Sequence, residues 1–236
     1  MRIKLFVLYF LFFIFLGASV AQAESQCVSC HEGIEPISEN PDIHDMSCVE
    51  CHLGDPDATS AEAAHQGMYA NPSDFRVIED TCGLCHYEIV EAVTKSLHAT
   101  SAGIISGTRY AAGLQEKGDA DYANYEVMDE EPEGPKAVKK LAQLPVYDPS
   151  KPESAMNHPV DDYLRNQCLR CHIWSDGLQR DGDYRASGCA ACHVEYSDAG
   201  LYEGGDVTIP KDQKDRPRIH RITRTVNETQ CLHCHN

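Results

Sequence analysis

The sequence is short of positive charge. Its 236 residues include 20 lysines and arginines against 37 aspartates and glutamates, which gives a formal net charge of −17. This balance excludes nucleic acid as a natural partner, because binding phosphates requires basic side chains that neutralise them. It favours basic protein partners or positively charged surfaces, and it also contributes to solubility.

A full-length membrane span is also missing from the start of the chain. The apolar run from Leu5 to Val20 has 16 residues, whereas a transmembrane helix needs roughly 20. Two basic residues precede the run and an A-Q-A triplet at 21–23 follows it, a pattern typical of a cleaved export signal. We therefore predict a signal peptide over 1–23 and export to the periplasm or the extracellular space. An uncleaved anchor is the alternative.

No cysteine lies outside one repeated motif. All twelve cysteines fall into six C-x-x-C-H units, numbered 1 to 6 along the chain. An even number of cysteines in an exported protein would otherwise indicate disulfides. The cysteines of units 1 to 6 are Cys27 and Cys30, Cys48 and Cys51, Cys82 and Cys85, Cys168 and Cys171, Cys189 and Cys192, and Cys231 and Cys234.

The C-x-x-C-H motif is the attachment site of c-type haem. Two thiols three residues apart lie on about one helical turn and can bond the two vinyl groups of one porphyrin edge, and the adjacent histidine reaches the iron. Zinc is the competing hypothesis, since cysteine and histidine also form tetrahedral sites. A zinc site does not require histidine directly after the second cysteine, and certainly not six times. The sequence therefore predicts six covalently bound haem c groups.

The histidines match this prediction in number, because twelve suffice for two axial ligands on each of six irons. For each of the six histidines outside the motifs, an ordinary surface or core imidazole is the alternative. His233 has the weakest support, because it occupies a variable position inside unit 6 and cannot serve the iron of His235. The proximal ligands are His31, His52, His86, His172, His193 and His235, and the candidate distal ligands are His44, His65, His98, His158, His220 and His233.

The spacing of the units suggests an organisation along the chain. An apolar pattern after unit 3 predicts a helix running to His98, which helix geometry places about 18 Å from His86, so His98 should serve a neighbouring haem. A short helix is expected from Pro135 to Leu144. The predicted segments are the signal peptide at 1–23, an N-terminal dihaem module at 24–75, the third haem unit with its helix at 76–106, a haem-free acidic insertion at 107–160 and a C-terminal trihaem module at 161–236.

The predicted fold class is mainly α with much irregular loop and few strands, a compact chain wrapped around six haems. We expect the acidic insertion to be a surface loop or lobe, either a solvated insertion or a docking site for a partner.

At its motifs the sequence resembles the multihaem c-type cytochromes of bacterial respiration and extracellular electron transfer. The stretch CGLCHYEIVEAVTKSLHAT is similar to a segment of the cytochrome c554 and hydroxylamine oxidoreductase group, and the resemblance implies that His98 is a distal ligand. GDYRASGCAACHVEY and NETQCLHCHN are similar to stretches of large cytochromes of metal-reducing bacteria. No unit has lysine in place of its histidine, which disfavours the chemistry of pentahaem nitrite reductases.

Two functions follow as hypotheses. The first is a non-enzymatic electron carrier with mostly bis-histidine haems, whose partners are redox proteins and, at the far end, a metal oxide or another extracellular acceptor. Assembly into a homo-oligomer or filament is compatible with it. The second is a multihaem oxidoreductase with one open iron that acts on a small nitrogen or sulfur oxyanion. No residues are predicted to be catalytic in the carrier.

Overall fold

Helical turns and irregular loops make up most of the chain, which we describe from a computed structural model covering residues 26–40, 42–128, 140–154 and 157–235. The predicted signal peptide lies outside these residues. The α-helices are α1 (Gln26–Cys30), α2 (Cys48–His52), α3 (Ala61–Ala64), α4 (Gly83–Thr94), α5 (Leu97–Thr100), α6 (Ala102–Ala111), α7 (Pro159–Asn166), α8 (Ala190–His193) and α9 (Glu228–Leu232). Short 3₁₀ helices span Ile78–Asp80 and Cys168–Cys171.

One small sheet accompanies the helices. Its strands are β1 (Tyr122–Ala123), β2 (Val127–Met128) and β3 (Lys140–Gln143), in the order β1-β3-β2. Strand β3 pairs parallel to β1 and antiparallel to β2. This composition confirms the predicted fold class of helix and loop with few strands. In the described ranges, no helix is both long and apolar enough to cross a membrane.

Two local predictions were wrong. The segment expected to form a helix from Pro135 to Leu144 is strand β3 in its described part, because Leu141 turns into an apolar cluster while its neighbours stay exposed, the alternation of a half-buried strand. The helix after unit 3 ends at Thr94, and Ser96 caps a separate helix, α5, by accepting a hydrogen bond from the Ala99 N–H. His98 therefore lies on α5.

In the part of the chain that the structure describes, three small clusters contain most of the buried apolar side chains. Each contains only three or four buried side chains, far less than one continuous core for a chain of this length. The clusters are Phe75, Ile78, Val90 and Ala99; Ala102, Ala123, Val127 and Leu141; and Ile105, Leu144 and Leu164. The second cluster joins α6 to the sheet, so residues of the predicted acidic insertion pack against the segment of the predicted third haem unit.

Two junctions bring the early and late parts of the sequence together. At the first, the Cys189 N–H donates to the Ser73 carbonyl (3.2 Å), and the Ala190 N–H donates to the Ser73 hydroxyl (2.8 Å). The Asn71 amide donates to the carbonyl of Ser187 at 3.0 Å. This junction fixes the start of unit 5 against the segment before unit 3.

The second junction lies beside unit 1. Glu35 accepts hydrogen bonds from the Tyr202 hydroxyl (2.9 Å) and the His220 N–H (3.2 Å). The backbone continues the contact, since the Ile222 N–H donates to the Ile37 carbonyl at 2.9 Å. Residues of the two predicted haem modules therefore contact each other directly.

The first junction yields a prediction about stability. Gly188 has a φ of +66°, and a Cβ added there would lie 1.8 Å from the Ser73 carbonyl oxygen. Gly188→Ala is therefore expected to destabilise the protein by about 3 kcal/mol, from backbone strain and a steric clash together. Urea unfolding followed by far-UV circular dichroism measures the loss.

Gly118→Ala is the matched control, because nothing lies within 4 Å of a Cβ at that position. It should change the free energy of unfolding by less than about 0.5 kcal/mol. Equal stability of the two variants would show that the backbones at the first junction do not approach as closely as described.

Candidate haem-binding sites

Each C-x-x-C-H unit occupies a single helical turn. In units 1, 3, 5 and 6 the histidine N–H donates to the carbonyl of the first cysteine of the unit at 2.8–3.0 Å, the i to i−4 bond of an α-helix. Unit 2 forms α2, and unit 4 forms the tighter 3₁₀ turn Cys168–Cys171. None of the twelve cysteines is in a disulfide. Both thiols of each unit are thus presented on one turn, as haem attachment requires.

Three proximal histidines face three of the candidate distal histidines. The ring centroids are 6.0 Å apart for His31 and His65 and 6.0 Å apart for His44 and His86. For His52 and His220 the distance is 5.9 Å. Two metal–nitrogen bonds of roughly 2 Å each, plus the distance from each ring centre to its nitrogen, give a separation of about 6 Å across one metal ion.

An ordinary contact between aromatic rings also falls at about 4.5–7 Å, so distance alone does not identify a metal site. The composition of the pairs is a second indication. Each pair combines a motif histidine with a histidine outside the motifs, as two axial ligands of one iron would.

Hydrogen bonds orient several of these rings. The Nδ1 of His31 donates to the carboxylate of Asp206 at 2.7 Å, and the Nδ1 of His52 donates to the Tyr69 carbonyl at 2.7 Å. The Nδ1 of His193 donates to the Thr223 carbonyl at 2.8 Å. A carbonyl or carboxylate can only accept, so Nδ1 carries the proton and Nε2 keeps its lone pair. Metal-binding histidines are held in this way.

Unit 4 is held by a side-chain amide. In one orientation of the Asn124 amide, both its oxygen and its nitrogen have hydrogen-bond partners. The oxygen accepts from His172 Nδ1 at 3.2 Å, and the nitrogen donates to the Thr100 carbonyl at 2.6 Å. Thr100 belongs to α5, so His172 lies beside the helix that carries His98. Burial, together with the charges of Arg185 and His98, lowers the pKa of His172 to about 4. Its imidazole is therefore neutral at physiological pH.

Two distal candidates differ in their tautomers. His233 is buried, with 5% of its surface exposed, and its Nδ1 donates to the Gly182 carbonyl at 2.7 Å. Its Nε2 is therefore free to bind a metal. At His158 the Nδ1 accepts from the Val160 N–H at 3.2 Å and caps α7. In a neutral imidazole this bond places the proton on Nε2, where a metal would have to bind.

Exposed apolar side chains surround the units. Leu84, between the cysteines of unit 3, is 74% exposed, and Leu232, in unit 6, is 57% exposed. Val28 in unit 1 and the neighbours of two candidate distal histidines, Ile43 and Leu97, are also exposed. Apolar groups concentrated beside the ligands fit a large apolar cofactor, because a bare surface of this kind is unfavourable in water.

A structural zinc ion fits less well. Such an ion needs four ligands in a tetrahedron. In the part of the chain that the structure describes, no three histidine, cysteine, aspartate or glutamate side chains converge in a way that could hold a metal ion. Paired rings beside a thiol turn suit haem, in which the porphyrin supplies the other four ligands.

Sequence reasoning did not find the residues that hold the ligands. Asp206 and Asn124 hold proximal histidines, but both are far from the motifs in sequence and carry no spacing signal. Arg185 is a third, with 3% of its surface exposed. It donates to the carbonyls of His172 (3.1 Å) and Ser175, and its charge lowers the pKa of His172.

Removing Arg185 should destabilise the protein around unit 4. Arg185→Met removes a buried guanidinium that donates to the carbonyls of His172, Ser175 and Ala186, so we expect a loss of about 3 kcal/mol in the free energy of unfolding. Urea unfolding measures it. The exposed residue Arg224 provides the control: Arg224→Met should stay within about 0.5 kcal/mol of the parent. A neutral Arg185→Met variant would contradict the bridging role.

The chain matches no protein-family model, no curated protein and no solved structure. The function is therefore inferred from the residues and their geometry alone.

Proposed function

We propose that this protein is an exported hexahaem c-type cytochrome that relays electrons between redox partners. The observation that carries the proposal is the set of three ring pairs near 6 Å, each joining a motif histidine to one outside the motifs. A bound haem supplies a one-electron Fe(III)/Fe(II) couple, and its potential depends on axial ligation and burial. The chain attaches the cofactor, orients both axial ligands and excludes water.

Four bound irons would take their ligand pairs from residues that this geometry brings together. His31 with His65 would serve unit 1, His52 with His220 would serve unit 2, and His86 with His44 would serve unit 3. His172 with His98 would serve unit 4, since Asn124 holds His172 beside α5. The iron of unit 5, at His193, is the site left for His233, because α9 packs against α8.

The negative charge defines the partners of this relay. Removal of residues 1–23, which contain two basic and no acidic residues, would take the net charge to −19. Surfaces of this sign steer positively charged redox proteins or oxide surfaces towards the protein. A homo-oligomer or filament is a further possible arrangement of the same carrier.

Carbon monoxide tests the axial ligands, because it binds only where an iron has an open position. The fully reduced parent is expected to bind none, and His220→Ala is expected to bind one CO per molecule at unit 2. A spectroscopic titration against total haem measures both. The matched control, Arg221→Ala, changes the neighbouring residue and should bind none. If His220→Ala also binds none, the assignment of unit 2 is wrong.

The same preparation tests the cofactor itself. Mass spectrometry of the exported protein should show six covalently attached haems. A chain without attached haem would contradict the proposed function, whatever its other properties.

A second candidate is a multihaem oxidoreductase with one open iron that reduces or oxidises a small nitrogen or sulfur oxyanion. The observation favouring it is that His158 caps α7 through Nδ1 instead of presenting a free Nε2. One distal ligand would then be missing. Binding of one CO per molecule by the parent would favour this candidate over the relay.

His158→Asn separates the capping role from ligation. Asparagine caps helices well, so α7 should persist. Under the relay, His158 is the candidate distal ligand left for unit 6, so this variant should bind one CO per molecule where the parent binds none. Equal CO stoichiometry of the variant and the parent would show instead that His158 acts only as a cap.

A further inference from the structure

We propose that the six haem sites form a single row in the order 1–2–3–5–6–4, so that sites 1 and 4 are the ends that exchange electrons with partners. This inference rests on the proposed function and adds to it the spatial order of the sites. Sequence order would instead place site 4 between sites 3 and 5. The contacts of the cysteines carry the inference, because each thiol bonds a porphyrin edge and neighbouring thiols bring two edges together.

The first three sites follow one another as they do in the sequence. The thiols of Cys27 and Cys48 are joined by a hydrogen bond, which links units 1 and 2. The backbone reinforces this link, since the Gln26 N–H donates to the Pro56 carbonyl at 3.1 Å. Unit 2 is linked to unit 3 through His44, which lies four residues before Cys48 and whose ring centroid is 6.0 Å from that of His86. The Cys51 thiol also interacts electrostatically with both thiols of unit 3.

After site 3 the row departs from the sequence. Cys82 of unit 3 and Cys189 of unit 5 pack on the same apolar cluster, the one that contains Phe75 and Ile78. Their thiols interact electrostatically. The first junction fixes this neighbourhood, because the Cys189 N–H donates to the Ser73 carbonyl and the Cys82 thiol lies 3.9 Å from the Pro72 carbonyl oxygen. Site 5 thus follows site 3.

Sites 5, 6 and 4 complete the row. Helix α8 of unit 5 packs against α9 of unit 6, and the Cys192 thiol interacts with both thiols of unit 6. The Cys234 thiol then donates to the Cys171 carbonyl of unit 4 at 3.0 Å. The other thiol of unit 4, Cys168, packs on the separate cluster formed by α6 and α7. The thiols Cys82 of unit 3 and Cys189 of unit 5 pack instead on the cluster that contains Phe75.

In the haem-loaded chain, a transfer would form and break no bond. One electron would pass from the Fe(II) haem held at one site, leaving Fe(III), to the Fe(III) haem held at the next site, giving Fe(II). A one-electron donor protein at one end would supply the electron, and a one-electron acceptor at the other end would remove it.

The first test locates the irons in the haem-loaded full chain by anomalous scattering at the iron absorption edge. We expect the iron of site 3 to lie nearer to that of site 5 than to that of site 4, and the iron nearest to site 4 to be that of site 6. An arrangement in which site 4 lies between sites 3 and 5 would overturn the proposed row. This measurement needs no variant and does not depend on activity.

The second test follows electrons along the row. A photoreductant attached at Asp57→Cys, an exposed position beside site 1, injects electrons at one end. His98→Met gives site 4 a methionine ligand, which raises its potential and makes it the final acceptor. In this background the pair Cys231→Ala and Cys234→Ala removes the attachment of haem at site 6. We expect arrival at site 4 to slow by more than about tenfold, because the electron loses its last relay before the end.

A matched control moves the final electron acceptor to a site that precedes site 6 in the row. His44→Met marks site 3 instead, and removal of haem at site 6 should leave the rate of arrival there unchanged. An unchanged rate at site 4 would overturn the row, since sequence order does not route electrons through site 6 to reach site 4. If the variants do not fold, the iron positions of the unmodified protein decide between the proposed row and the sequence order of the sites.

The outcomes separate this inference from the proposed function. Absence of covalent haem contradicts the cytochrome itself. Six bound haems with their irons in another order contradict only the row.

Discussion

Holding an imidazole by one nitrogen so that the other remains free is the interaction on which this structure depends. A histidine that rotates freely presents its lone pair in no fixed direction, and each added haem would then have to fix the ring at an entropic cost. Here the ring of His31 is held by a carboxylate, and those of His52 and His193 are held by backbone carbonyls. The protein alone therefore orients these imidazoles.

These anchors differ in their electrostatic effect. Asp206 is charged, and although burial raises its pKa, hydrogen bonds from Thr208 and His31 lower it below the ordinary value. A carboxylate on Nδ1 makes an imidazole more electron-rich than a neutral carbonyl does. Near unit 4 the buried cation Arg185 has the opposite sign. Hydrogen bonds around the ligands are one of the ways in which proteins adjust haem potentials, so the two ends of the proposed row have different surroundings.

Much of the fold class and part of the site could be predicted from the sequence. The predictable features depend on residues close together along the chain, whereas the others depend on contacts between distant segments. The C-x-x-C-H units are local, and each forms the helical turn that its spacing implies. The pairing of His52 with His220 is not local, because it depends on contacts such as that between Glu35 and His220. No periodicity within either segment reveals such a contact. The strand at Lys140–Gln143 was not predicted for a similar reason, because it is stabilised by packing against α6 and by pairing with the other two strands.

The second junction has a consequence for how the protein matures. If the chain is exported and loaded with haem as we propose, it emerges with its N-terminus first, and unit 2 would be presented for haem attachment long before His220 arrives to face His52. Site 1 would likewise acquire its Asp206 contact only when the late segment folds back beside Glu35. The first haems to be attached would therefore wait for the last part of the chain to complete their environment, and a product truncated before Asp206 would leave both His31 and His52 without these partners.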